Sequence, residues 1–166
     1  MDHAFAGSVL LHSVPRGILR PCLSTIAREL GYEPTAAWES QPRIVGSFRT
    51  EIQWVGSADT GAAVSATLAG WREIWFEVIQ HAANGSSGSR WMYVPSLGIR
   101  HRHVDEFGNF VVGEQELLAA MQQANDGAFA LRRELQNLLA HHWEIALEPL
   151  RVADAASDKE QKFRAS

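Results

Sequence analysis

Apolar and polar side chains alternate without a slip from Phe48 to Trp54: Phe48, Thr50, Ile52 and Trp54 share one face, and Arg49, Glu51 and Gln53 share the other. A period of two predicts a strand over Ser47 to Val55, with one face on a core and the other in water. Upstream, the apolar residues come in pairs: Ile18 and Leu19, Cys22 and Leu23, Ile26 and Ala27, then Leu30. That is one stripe of a helix, with Pro21 near its start and Gly31 placed to end it. Ser8 to Val14 predicts a first strand stopped by Pro15, and a short second strand falls around Trp38, closed by Pro42. Asp59 or Thr60 caps a second helix with Val64, Leu68 and Trp71 on one face. Arg72 to Gln80 reads as a strand, Ile74, Phe76 and Val78 against Trp75, Glu77 and Ile79.

The order through residue 80 is strand, helix, strand, strand, helix, strand. This predicts an α+β protein with a ferredoxin-like βαββαβ core, two helices covering one face of the sheet and the other face open. Residues 90–112 extend it as a hairpin, with "DEFGN" as a turn and "FVV" as a returning strand. Residues 114–151 supply C-terminal helices. A short one ends near Asn125 or Asp126, and a longer one carries Leu131, Leu135, Leu138 and His142 on its apolar stripe until Pro149 stops it. Residues 1–7 read as a flexible N-terminus, 8–151 as a single domain, and 152–166 as a disordered tail.

Net charge of −4 gives no attraction to nucleic acid or to anionic membrane. The N-terminus lacks a basic region and a long apolar run, and no segment approaches the roughly 20 residues that span a bilayer. The expected compartment is the cytoplasm. A single cysteine excludes an internal disulfide, and Cys22 falls on the buried helix stripe, where an inert thiol is expected.

His101 and His103 lie two apart on a strand and so share a face; Asp105, His81 or His12 would have to complete a metal site. Two of three or four ligands is a weak pattern, so no metal and no cofactor are expected, and Arg100 and Arg102 read as charges that protect an edge strand. His12 and Ser13 end a central strand, but neighbours there point to opposite faces, so a base for Ser13 must come from a distance, His101 being the candidate. Thr60 and Gly61 open the second helix and could hold an anion, although a turn and a cap explain them equally. His141 and His142 read as complements to a helix C-terminus. Six tryptophans are many for 166 residues. Trp38, Trp75 and Trp91 are candidates for exposed anchors on a partner. No motif of the RNA-recognition type occurs.

Several segments together resemble one family: "LLHSVPRG", "WESQPRIVGSFRTEIQWVGSADTGAAVSATLAGWREIWFEV", "RWMYVPSLGIRH" and "LLAHHWEIALEPLR". The chain is similar, from about Val9 to Arg151, to the actinobacterial family of domain of unknown function 3145. The resemblance carries the family's motifs onto His12, Ser13 and Pro15; Thr60, Gly61 and Trp71; Pro95, Leu97, Gly98, Ile99 and His101; and Trp143, Glu148, Pro149 and Arg151. The family pattern has phenylalanine at Arg100 and nothing corresponding to His103. That weakens a two-histidine site and leaves His101 with His12. The resemblance brings no established activity with it, and suggests a partner in acyl-CoA or fatty-acid metabolism.

The expectation is therefore a non-enzymatic protein that binds or regulates a larger metabolic enzyme, with Trp38, Trp75, Trp91, Trp143, Glu148 and Arg151 towards the partner. The alternatives are a small-molecule sensor and a hydrolase or metalloenzyme built on His12, Ser13 and His101. The sequence leaves the oligomeric state open.

Overall fold

A six-stranded antiparallel sheet in the order β2-β3-β1-β4-β5-β6 organises the chain. The strands are β1 (Phe5–Pro15), β2 (Glu39–Ser40), β3 (Ser47–Gly56), β4 (Trp75–Gln80), β5 (Gly88–Val94) and β6 (Gly98–Val104). The helices are α1 (Leu19–Leu30), α2 (Thr60–Leu68), α3 (Glu114–Gln123), α4 (Ala128–Leu138) and a last helical stretch, α5, over residues 141–151. The structure is a computed structural model and describes residues 4–83, 85–124 and 127–151. The expected tail and the cap at Asn125 or Asp126 lie outside these residues, as do residues 1–3.

The alternation along β3 holds. Thr50, Ile52 and Trp54 are buried, Glu51, Gln53 and Val55 are exposed, and α1 and α2 cover the apolar side. Val9, Leu11, Val14, Phe76 and Val78 complete that core from the sheet and Ile74 from the turn before β4, with Cys22 and Ile26 from α1 and Val64 and Leu68 from α2. Gly31 ends α1 at φ 77°, its N–H bonded to the Ala27 carbonyl at 2.9 Å, a left-handed position that glycine fills without strain. Gly7 has a different reason. A β-carbon there would stand 2.5 Å from the Trp54 ring, so the bare backbone of β1 is what admits the indole.

Several boundaries differ from expectation. The strand expected from Ser8 begins at Phe5, because Phe5 to Gly7 already pair with Trp54 to Gly56. A turn through Trp71 delays β4 until Trp75. "FVV" forms no strand; Val104 and Phe110 make a single bridge before the chain leaves for α3. The single long helix expected after Asn125 is broken at Ala140, which takes φ 51° and is fully buried. The break turns α5 back, so that Leu147 packs with Met92 and Val94 on the sheet's second face. Helical backbone then continues through Pro149 to residue 151. A proline in a last turn removes one hydrogen bond, which the packing of α5 on the sheet outweighs.

The second face is therefore not open. Met92, Val94, Ala140 and Leu147 form a smaller core there, with Trp75, Phe110 and Trp143 packed around it. Arg100 and Arg102 are not edge protection either. Their side chains tie the helical hairpin to β6, Arg102 to the Glu116 carboxylate at 2.7 Å and Arg100 to the Asn137 carbonyl at 2.8 Å.

Candidate functional site

The site lies on the second face, where β1 changes register. Between Leu11 and Val14 the pairing of β1 slips by one residue against β3, and it slips between Leu11 and Ser13 against β4. Leu11 and Val14 both point into the first core. The two residues between them, His12 and Ser13, therefore both turn to the second face, the expected effect of a bulge. This corrects the expectation that they diverge. The bulge is held by Gln41, itself buried, whose amide donates to the His12 carbonyl at 2.6 Å.

His12 Nε2 meets Glu77 Oε1 at 2.9 Å. Glu77, only 2% exposed, is the centre of a charged cluster. Arg90 binds Glu77 Oε2 through Nε at 2.8 Å and Nη2 at 2.6 Å, and Arg151 donates from Nε to Oε1 at 2.7 Å. Glu144 of α5 bridges both guanidiniums, 2.8 Å from Arg90 and 2.7 Å from Arg151. Burial pushes the Glu77 carboxyl up. The hydrogen bond from His12 and the charges of Arg90 and Arg151 outweigh it and bring the group down to about 2. Glu77 is thus a carboxylate at neutral pH and cannot deliver a proton there. As an acceptor it takes a hydrogen bond from His12 Nε2.

A groove of about 510 Å³ adjoins this cluster, bounded by Leu10, His12, Arg49, Glu51, Leu150 and Arg151. A second, of about 330 Å³, lies across Leu10 against Glu77, Arg90 and Glu144. The first groove offers a ligand the apolar side chains of Leu10, Leu11 and Leu150 beside His12. The cluster itself fastens α5 to the sheet.

The other expected residues are placed elsewhere. His101 pairs across from Trp91 and stacks on it, ring centroids 4.8 Å apart, on the face that α1 and α2 cover, opposite His12. His101 Nε2 lies 3.1 Å from Ser89 Oγ, and His12 Nε2 is held by Glu77, so neither of these nitrogens serves Ser13. Burial, then the neighbouring His103 and Arg102, lowers the His101 pKa. Asp105 accepts hydrogen bonds from Phe107 and Asn109 within its own turn. Among the described residues no group of three or more His, Cys, Asp or Glu side chains is placed to hold a metal. At the start of α2, the Gly61 N–H donates to the Gln80 side chain at 3.3 Å, and Trp91 closes the remaining space. An anion at Thr60 and Gly61 would have to displace both. His141 and His142 open α5 rather than end a helix.

The tryptophans expected to be exposed are half-buried. Trp38 and Trp91 pack on the first core, Trp75 and Trp143 on the second, and Trp143 Nε1 donates to the Gly98 carbonyl at 2.9 Å. Glu148 is exposed, 3.5 Å from Arg151, which is turned inward to Glu77. Exposed apolar side chains occur along α3 and α4, at Leu117, Leu118, Met121, Phe129 and Leu135, with Leu139 just beyond; others are scattered over the surface, among them Val45, Val55, Phe107 and Ile145.

Sequence reasoning missed Glu77, Arg90, Gln41 and Glu144. A signal for Glu77 was present, because Trp75 and Ile79 share its face, and a strand face with two large apolar residues is not built for water.

These features define an α+β protein with an antiparallel sheet layered by helices on both faces and a buried ion cluster under one of them. Residues 8–162 match the family described as protein of unknown function (DUF3145), and the chain belongs to that family. Neither a curated protein nor a solved structure matches it. Among the described residues no helix is long and apolar enough to cross a membrane.

Proposed function

We propose that the protein acts by non-covalent association, as a binding or regulatory partner of a protein, with the outward faces of α3 and α4 as its docking surface. The observation that carries this is exposure. Phe129 is 80% exposed and Met121 63%, beside Leu117, Leu118 and Leu139, on two helices fastened to the sheet by Arg100 and Arg102. Apolar side chains concentrated on one rigid element mark an interaction surface. The strand order β2-β3-β1-β4 with α1 and α2 on one face supports reading the first 80 residues as a ferredoxin-like core, which leaves the hairpin of helices as an added module. An enzyme of acyl-CoA or fatty-acid metabolism, suggested by the family resemblance, is the first partner to test. The test compares capture by the wild-type chain and by Met121→Glu/Phe129→Glu at equal loading, with circular dichroism confirming equal folding. A stoichiometric partner retained by the first and lost by the second supports the reading. Equal retention by both overturns it.

A second reading, a small-molecule sensor, is favoured by the 510 Å³ groove beside His12, which falls in the size range of ligand sites. Its test is a melting-temperature shift with acyl-CoA, amino-acid and nucleotide panels. A shift abolished by Leu10→Trp, which fills the groove, supports this reading; no shift at saturating ligand ends it.

A further inference from the structure

We infer that the groove beside His12 takes an uncharged amphipathic molecule, an aliphatic body with one hydrogen-bonding head that meets the His12 ring at Nδ1. The inference rests on the small-molecule reading above and names the class of ligand. His12 is only 7% exposed, and its Nε2 is committed to Glu77 at 2.9 Å. Its Nδ1 has no hydrogen-bond partner among the described residues, yet that atom is not sealed from solvent. The two grooves divide the pair: His12 borders the one of about 510 Å³ and Glu77 the one of about 330 Å³. One polar atom left open beside apolar side chains is what orients a ligand in such a place.

The charges along the groove are already engaged. Arg49 holds Glu39 at 3.2 Å, and Arg151 is turned to Glu77 and Glu144. Glu51 takes the Gln53 amide at 2.6 Å and is exposed, so a cation paired with it would stay in water, where a pair is worth little. An ion entering the groove would lose hydration without gaining a buried counter-charge of its own. Leu10 and Leu150 reward an aliphatic chain instead, because each methylene they cover leaves water.

NMR titration of the full chain at neutral pH with hexanamide, hexanoate and hexylamine, which share a chain and differ in the charge of the head, tests this. Hexanamide should move the His12 imidazole nitrogen resonances and the Leu10 methyls saturably, and should bind more tightly than either ion, by about tenfold. Ala37→Trp, at an exposed position on the groove wall, should abolish these shifts without touching either core. Binding of hexanoate or hexylamine as tight as that of hexanamide overturns the inference. So does saturable binding that leaves the His12 nitrogens unmoved, binding indifferent to Ala37→Trp, or no binding of hexanamide. A panel ligand whose melting shift Leu10→Trp abolishes, found where hexanamide does not bind, removes the uncharged class alone and leaves the small-molecule reading standing.

Discussion

Arg151 donates its Nε–H to Glu77 Oε1 at 2.7 Å, although the two residues are 74 apart in the chain. With Arg90 on the other carboxylate oxygen, this contact closes α5 onto β4 and makes Glu77 the shared acceptor of two largely buried guanidiniums. Glu77→Gln keeps the shape and removes the charge, leaving both cations without their buried counter-ion. Breaking a buried pair from one side costs about 3–5 kcal/mol. Urea unfolding at neutral pH should show a loss of that order. A loss under ~1 kcal/mol, the range of a surface pair, would mean that the cluster contributes little to holding α5.

The same carboxylate predicts how stability depends on acidity. Its pKa lies at about 2 in the folded chain against an ordinary 4.5. A group depressed on folding contributes stability that is complete above its unfolded pKa and is lost as pH falls through the folded value. The window here runs from just above 4.5 down to 2, and a difference of this size corresponds to about 3 kcal/mol. Glu116, held down to about 2 by its hydrogen bonds from Arg102 and the Gly113 backbone, titrates in the same window, though solvent screens it more. Urea midpoints measured between pH 6 and 2 should fall for the wild type. For Glu77→Gln the fall should be clearly smaller, and parallel curves for the two proteins would remove Glu77 as its source.

Gln41 gives the bulge at His12 its hydrogen-bond partner. Gln41→Ala leaves the His12 carbonyl in a buried place without the 2.6 Å donor, and an unsatisfied buried acceptor costs about 1–3 kcal/mol. The same substitution should loosen His12 against Glu77, visible as a change in the imidazole nitrogen shifts by NMR. Loss of stability without any change at His12 would show that Gln41 supports the β2–β3 turn instead, through its bond from the Arg43 N–H.

The first face was legible because a local pattern is enough to write it. Ile52 and Trp54 alternate with charges, and the α1 stripe ends at a glycine, so neighbours in sequence carry the signal. The second face was not, because alternation separates two sides without saying what meets the polar one. Glu77 was assigned to the correct side and to the wrong medium, since its partners Arg90, Glu144 and Arg151 come from elements far along the chain. The bulge left no mark in composition; one extra residue in β1 shows only when β3 and β4 are laid beside it. Ala140 gave no warning of a helix break because alanine is the best helix former, and only burial against the second core accounts for its φ of 51°. The exposure expected of the tryptophans differs for a related reason: a sheet covered on two faces has two cores, and Trp38, Trp75, Trp91 and Trp143 lie half-buried around them.

Cys22 offers a direct reading of how firmly α1 is held. It is fully buried between α1 and the sheet, and burial pushes its thiol up to about 12, so it is protonated and shielded at neutral pH. A disulfide reagent should therefore react only through opening of the first core, more slowly than with the unfolded chain by on the order of a thousandfold or more. If opening is global, the labelling rate should rise with urea at the slope of overall unfolding, and Glu77→Gln should accelerate it although Glu77 lies on the opposite face of the sheet. Acceleration without a urea slope would place the opening in α1 alone. Labelling at the rate of an exposed thiol would contradict the packing of α1 on β1 and β3, and with it the two-layered core described here.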